Sequence, residues 1–159
     1  MTIHFNQPMM NNIQEATLAD LPQLALLFGR YRAFYEMEPD AEKERQFLSE
    51  RIQHKESVIF VCYDEAKQMT GFVQLYPLFS STRMKRLWLL NDLFVNPDAR
   101  SSGVGLALIY KAKELCRQTG ACGLILETAI GNAPANALYL KTGFTADKEH
   151  NYYSWNFSG

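Results

Sequence analysis

The sequence predicts a mixed α/β domain. Segments with the composition of strands alternate with segments whose apolar residues recur at helical spacing, without internal repeats or low-complexity linkers. A glycine-containing turn at 100–105 joins one predicted strand to a strongly periodic helix. With 159 residues the chain suits a single domain that buries a substantial core. We expect this domain to cover 13–159, after a flexible N-terminal segment at 1–12.

The first third of the chain predicts one strand and two helices. A strand at Ile13–Thr17 precedes a helix that Thr17 or Asp20 caps and that ends near Tyr35. After a proline, a charged second helix is predicted at Ala41–Gln53. The apolar residues that recur at helical spacing in the first helix are Leu21, Leu24, Leu27, Phe28, Tyr31 and Tyr35.

Strands and helices alternate through the rest of the chain. The predicted elements are strands at 58–63, 71–76 and 87–95, a helix at 104–119, a strand at 123–128, a short helix that Asn132 caps, and terminal strands within 144–157. The resulting order is β-α-α-β-β-β-α-β-α-β-β.

The turn from Arg100 to Leu106 (RSSGVGL) has the composition of an anion-binding site. Its two glycines let a ligand approach the backbone closely, and the N–H groups and dipole of the helix that follows favour phosphate. A dinucleotide fingerprint would need a glycine in place of Leu108, and a P-loop would need Lys and then Ser or Thr after the last glycine. An ordinary glycine-rich turn between a strand and a helix is the alternative.

A second motif lies in the short helix near the C-terminus. Asn132 is a favourable N-cap, and Gly143 suits the position just past the helix end. Because seven residues separate Asn132 from Tyr139, the two side chains project from nearly the same face. That face therefore carries an amide and a phenol.

Together the two motifs resemble the signatures of the GNAT superfamily, the acyl-CoA-dependent N-acyltransferases. The predicted element order is similar to that of the GNAT fold, so the resemblance covers essentially the whole domain. Leu90–Val95 (LNDLFV) resembles the corresponding strand of the polyamine and histone-type acetyltransferases. The resemblance implies transfer of an acetyl group from acetyl-CoA to a primary amine by direct attack, with Tyr139 as the general acid that protonates the departing thiolate.

The resemblance also implies a set of donor-binding residues. Backbone groups of the strand would pair with the pantetheine arm, the glycine-containing turn would hold the pyrophosphate, and two asparagines of the short helix would contact the cofactor. These residues are Leu93, Phe94, Val95, Arg100, Ser101, Ser102, Gly103, Val104, Gly105, Leu106, Asn132 and Asn136.

The general base is left open by the sequence. A primary amine has a pKa of about 10.4, so roughly a thousandth of it is neutral at pH 7. Diamine-acetylating relatives place a glutamate where this chain has Asn91, and an aspartate that matches Asp92 follows. In a regular strand the two side chains point to opposite faces, which leaves Asp92 as a structural carboxylate or as a base reached through water. Glu127 on the next strand is another candidate.

The segment Tyr35-Glu36-Met37-Glu38 resembles the acidic loop that lines the acceptor site of such enzymes. We therefore expect Tyr35, Glu36 and Glu38 to bind a small cationic amine, although a solvated helix end is an equal alternative. A protein lysine or N-terminus remains another possible acceptor. A non-catalytic acyl-CoA-binding module is the rival class, and it would have no need of Tyr139.

Composition sets the remaining expectations. The net charge is −1 with signs well mixed, which gives no general attraction to nucleic acid or to a membrane surface. Three scattered cysteines have neither metal-ligand spacing nor the even number of a disulfide framework, so we expect a cytoplasmic protein without a metal. The aromatic run at 152–157 predicts a homodimer that pairs through an exposed terminal strand.

Overall fold

A computed structural model describes residues 12–100 and 102–159. Two compact units make up this part of the chain, one up to Glu127 and the other Thr128–Gly159. The elements are β1 (Ile13–Glu15), α1 (Leu21–Phe34), α2 (Ala41–Gln53), β2 (Val58–Tyr63), β3 (Met69–Ser80), β4 (Lys85–Val95), α3 (Val104–Gln118), β5 (Leu124–Ile125) and α4 (Ala133–Lys141). Single 3₁₀ turns precede α1 and follow β4. The predicted segment at 1–12 lies almost wholly outside the described residues.

The sheet has the order β1-β2-β3-β4-β5. Its strands pair antiparallel except for β4 and β5, which run parallel. The mixed α/β class is thereby confirmed. β3 and β4 form the longest pair, from Gly71 opposite Val95 to Ser80 opposite Lys85, and they extend beyond the predicted 71–76 and 87–95 because pairing continues into the hairpin.

Helices cover the sheet of the first unit on both faces. Phe72 of β3 and Phe94 of β4 pack with buried residues of α1 and α2, including Leu24 and Leu48. Gly71 comes directly before Phe72 on β3, so a side chain at this position would point to the opposite face of the sheet. Accordingly, a Cβ placed on Gly71 would meet side chains of α3. The adjacent strands β3 and β4 therefore lie between apolar layers of helices on the two faces of the sheet.

The helix starts follow the local signals of the sequence. Thr17 forms a capping box with Asp20 at the 3₁₀ turn that leads into α1, whereas Asp20 holds the N-cap position of α1 itself without a side-chain cap bond. The side chain of Asp40 accepts a hydrogen bond from the N–H of Lys43 and opens α2, whose bounds are those predicted. Asn132 caps α4 through the N–H of Ala135.

The prediction of terminal strands within 144–157 is wrong, since the described residues of this stretch contain none. The predicted strand at 123–128 is likewise reduced to Leu124–Ile125. A strand needs a neighbour for its backbone groups, whereas the backbone N–H groups of Glu149 and His150 bond locally to the Asp147 carboxylate. Aromatic composition favoured strands here, but it cannot supply the pairing partner.

Gly71 provides a test of the contact between α3 and the sheet. An added Cβ would lie 2.8 Å from Val104 Cγ1 and 3.0 Å from the backbone oxygen of Phe94. We expect Gly71→Ala to lower the free energy of unfolding by about 1–3 kcal/mol, because α3 must move away from β3. Urea unfolding measures this.

The matched control is Gly131→Ala, where an added Cβ meets nothing within 4 Å. It should change the free energy of unfolding by less than about 0.5 kcal/mol. Equal stability of the two variants would contradict the close approach of α3.

Candidate active site

The turn before α3 presents backbone donors. Gly103 has a φ of 84°, a left-handed conformation that favours glycine, and it forms the N-cap without a side-chain hydrogen bond. The N–H of Ala107 bonds to the carbonyl of Gly103 at 3.0 Å, so the three preceding N–H groups lack an intrahelical partner. Arg100 is exposed at the entrance of the turn. This set of donors and one cation fits a pyrophosphate group.

Of the two serines in the predicted phosphate site, the structure describes only Ser102. The hydroxyl of Ser102 donates to the carbonyl of Ala99 and is engaged within the turn. Ser101 lies outside the described residues. The backbone N–H groups at the start of α3 are therefore the main donors that the described part of the turn offers.

One edge of β4 is open next to this turn. The pairing with β5 consists of Trp88 opposite Leu124 and Leu89 opposite Ile125. Farther along, Leu93–Val95 pair with β3 on one side, and no described strand pairs with the other side. Their outward N–H and C=O groups are thus placed to pair with an extended, amide-containing chain.

A β-bulge interrupts β4 at the predicted catalytic pair. Gln74 lies opposite Asp92 and Leu75 lies opposite Leu90, which leaves Asn91 without a partner on β3. The regular pairing expected here is not found. The side chains of Asn91 and Asp92 contact each other, with Nδ2 of Asn91 donating to Oδ1 of Asp92 at 3.0 Å.

Asp92 is held at both carboxylate oxygens. It is 4% exposed, and its Oδ2 accepts from Nε2 of Gln74 at 2.6 Å. Oε1 of Gln74 in turn accepts from the hydroxyl of Ser57 at 2.8 Å. Sequence reasoning missed Gln74 and Ser57. A glutamine inside an apolar strand such as GFVQLY is the signal that could have found them, because a buried amide needs partners.

The field of Asp92 also reaches the neighbouring phenol on β3. Burial, followed by the charge of Asp92, raises the pKa of Tyr76 to about 12, while the nearby Arg51 opposes the rise. Arg51 lies at the end of α2, with its Nε 3.0 Å from a carboxylate oxygen of Glu56. The phenol of Tyr76 is therefore neutral at physiological pH.

The predicted acceptor loop follows α1 directly. Tyr35 ends the helix and is 51% exposed, and Glu36 and Glu38 are exposed. Edge-to-face contacts connect the loop to the core, since Tyr31 lies 5.1 Å from the ring of Tyr35 and 6.0 Å from that of Phe94 on β4. The loop and β4 are thus parts of one packed unit.

A buried ion pair anchors this loop from behind. Arg32 donates to Glu44 at 2.6 Å and to the backbone carbonyl of Glu38 at 2.9 Å. The same carboxylate accepts from the N–H of Asp40 at 3.3 Å. Its other oxygen lies 2.9 Å from the position that a Cβ on Gly29 would take. The backbone of the loop is therefore fixed while its side chains at 35–38 face outward.

The second unit carries the amide and phenol of the C-terminal motif. Asn132 is engaged as the N-cap, and Nδ2 of Asn136 donates to the carbonyls of Ala129, Ile130 and Asn132. Tyr139 is half-buried with its ring 5.6 Å from that of Phe144. Glu127, at the end of the first unit, is exposed and lies beyond β5.

The described residues contain neither a metal-binding cluster nor a membrane-spanning helix. No group of three or more His, Cys, Asp or Glu side chains there could hold a metal ion. Within the same residues no helix has both the length and the apolar character needed to cross a membrane.

Known proteins share this sequence and architecture. The model of the acetyltransferase (GNAT) family matches residues 23–144. The uncharacterized N-acetyltransferase YhfO of Bacillus subtilis (strain 168) is 41% identical over 91% of this chain and 97% of that protein. A probable acetyltransferase of Haemophilus influenzae is 37% identical over 65% of this chain and 70% of its own length.

A solved structure agrees with these relatives. The crystal structure of a probable acetyltransferase superposes with a TM-score of 0.88 at 41% identity, covering 92% of this chain and 98% of that one. The match spans nearly the full length of both proteins. The chain therefore belongs to the GNAT family and is an N-acetyltransferase.

Proposed function

We propose that this enzyme transfers the acetyl group of acetyl-CoA to a small cationic amine. The observation that carries the choice of acceptor is the loop after α1, where Glu36 and Glu38 are exposed beside the ring of Tyr35. Carboxylates attract a protonated amine, and an aromatic face adds a cation–π contribution. The anchored backbone lowers the entropy cost of binding, because the loop is ordered before the amine arrives.

Donor binding is assigned to the start of α3 and to the open edge of β4. The N–H groups of Val104, Gly105 and Leu106, with Arg100, would hold the pyrophosphate. Backbone groups of Leu93–Val95 would pair with the amides of the pantetheine arm. Asn132 and Asn136 are proposed as further contacts to the cofactor, through side-chain atoms that are not used in the hydrogen bonds described above.

Acetyl-CoA supplies an acetyl group that is activated as a thioester. In the proposed reaction the amine nitrogen bonds to the carbonyl carbon while the bond from carbon to sulfur breaks. The nitrogen gives its ammonium proton to water or to a carboxylate before the attack, and it loses a second proton to water once the new bond has formed. Tyr139 donates its phenolic proton to the sulfur. Glu127 is the carboxylate proposed for the ammonium proton, Asp92 is proposed as the structural carboxylate that holds Asn91, and Asn91 is proposed to contact the amine.

Two variants should distinguish residues that bind acetyl-CoA from residues that take part in the chemical step. Arg100→Gln should weaken the Kd for acetyl-CoA about tenfold, by removing a charge-assisted contact to phosphate, with kcat at saturating donor nearly unchanged. Tyr139→Phe should lower kcat by roughly 10²–10⁴ with the Kd nearly unchanged, because only the proton donor is lost. Calorimetry and steady-state kinetics measure the two effects.

The matched controls are Arg83→Gln, at the tip of the β3–β4 hairpin, and Tyr152→Phe, whose ring is 83% exposed. Neither should change either parameter. A fall in kcat of less than about threefold in Tyr139→Phe would make this tyrosine a packing residue, and an unchanged Kd in Arg100→Gln would remove the phosphate role of the turn.

The acceptor class is tested with a panel of amines, assayed for thiol release from acetyl-CoA. The panel is spermidine, tyramine, lysine, an aminoglycoside and a lysine-containing peptide. We expect the small cationic amines to react fastest. The double variant Glu36→Gln, Glu38→Gln should raise their KM at least about fivefold, because two attractive charges are lost.

Glu42→Gln, an exposed substitution in the first turn of α2, is the control and should leave KM unchanged. An unchanged KM in the double variant refutes the acidic acceptor site. Turnover of the peptide alone would favour a protein acetyltransferase. Binding of acetyl-CoA without turnover of any amine would favour the non-catalytic module.

A cytoplasmic homodimer completes the proposal. Cys62, Cys116 and Cys122 are free thiols, which suits a reducing compartment. Four aromatic side chains of the C-terminal segment, Tyr152, Tyr153, Trp155 and Phe157, are 80–83% exposed and offer apolar area for a second copy.

Light scattering at micromolar concentration should give twice the chain mass. Tyr153→Ser with Trp155→Ser should reduce the mass to that of one chain, whereas Met84→Ser, which removes an apolar side chain that is 89% exposed elsewhere, should not. A monomeric wild type contradicts the dimer.

A further inference from the structure

A fully buried glutamine occupies the centre of the sheet beside the bulge. Gln74 is 0% exposed, as are its strand neighbours Val73 and Leu75. Burying an amide in such a layer costs free energy unless both of its ends are bonded, and an aliphatic residue would fill the space without that cost. The role of Gln74 therefore lies in what its amide holds.

The amide of Gln74 fixes a chain of hydrogen bonds with a defined direction. Ser57 donates to Oε1 of Gln74 at 2.8 Å, and Nε2 of Gln74 donates to Oδ2 of Asp92 at 2.6 Å. With this oxygen held, Oδ1 of Asp92 stays aimed at Nδ2 of Asn91, 3.0 Å away. A carboxylate bonded at both oxygens cannot rotate freely.

The far end of this chain is exposed on the strand. Asn91 is unpaired in the bulge and reaches solvent. Because Nδ2 is the atom bonded to Asp92, the carbonyl Oδ1 is the end of the amide left for another donor. Asn91 lies two residues before Leu93, on the part of β4 beyond Leu89 that no described strand pairs on its other side. An amine that reaches acetyl-CoA bound along this open edge would pass the amide oxygen of Asn91.

We infer that Gln74 is a positioning residue for the acceptor amine. It holds Asp92 so that the amide of Asn91 turns its Oδ1 outward, where it accepts a hydrogen bond from an N–H of the amine. This inference rests on the proposed function. It assigns orientation of the nucleophile to a neutral amide, with Asp92 as its support.

A double-mutant cycle tests the coupling between the buried and the exposed amide. Gln74→Leu removes the bond to Asp92, and Asn91→Ala removes the group that Gln74 is inferred to orient. Spermidine is the probe amine, or the fastest amine of the panel if spermidine does not react. We expect each single variant to lower kcat/KM for the amine about tenfold or more, with the Kd for acetyl-CoA within twofold of wild type.

The expected double variant is no worse than Asn91→Ala alone, because Gln74 acts through Asn91. A purely structural loss at Gln74 would instead multiply with the loss at Asn91. Thr70→Val is the control for breaking a buried bond on the same strand, since Thr70 donates to the carbonyl of Cys62 at 3.2 Å. It should leave kcat/KM unchanged.

Ser57→Ala gives a milder variant for the same cycle if Gln74→Leu does not fold. It leaves the bond between Gln74 and Asp92 in place and should lower kcat/KM by a smaller factor, again without effect in the Asn91→Ala background. Multiplicative losses in either cycle overturn the inference while the proposed function stands. If the wild type acetylates none of the amines, the proposed function falls and the inference falls with it.

Discussion

The register shift between β3 and β4 decides which side chains reach each face of the sheet. Before the shift, Trp88 and Leu90 lie on the face covered by α3, where Trp88 donates to the hydroxyl of Thr119. After it, Asp92 and Phe94 lie on the face covered by α1 and α2. A regular strand would have continued the first pattern and carried Asp92 to the side of α3, away from Gln74. One extra residue thus joins two buried polar groups and leaves a third exposed.

The bulge also sits where the sheet changes from paired to open. The parallel contact with β5 ends at Leu89, and the strand beyond the bulge keeps only its β3 partner. Along this one strand the chain passes from a supported segment, through the exposed Asn91, to an edge with unpaired backbone groups. That edge leads into the turn with the uncapped N-terminus of α3. A single strand therefore carries or adjoins the features of the first unit on which the proposed function draws.

Local signals in the sequence were sufficient for much of this architecture. The cap at Asp40 predicts the start of α2, and a compact apolar run predicts β2. Both signals lie within a few residues of the element that they predict. The bulge could not be predicted in this way, because the register of β4 depends on its pairing with β3. Gln74 and Asp92, which are bonded across this pair, are 18 residues apart in the sequence. The terminal strands failed for the same reason, since aromatic content does not specify a partner. Assignment of Arg100 and Tyr139 to the chemistry depended on resemblance and stays a prediction.

The ion pair between Arg32 and Glu44 has a consequence for how the loop after α1 can vary in sequence. It fixes the loop through the backbone carbonyl of Glu38 and the N–H of Asp40, and it uses none of the side chains at 35–38. Substitutions at Glu36, Met37 and Glu38, whose side chains are exposed, can therefore accumulate without loss of this anchor. Removing Arg32 would leave the buried Glu44 carboxylate without its charged partner and lower the free energy of unfolding. Mutational tolerance and mutational cost are thus divided between neighbouring residues, so that the sequence of the exposed loop can change while its anchor stays constant.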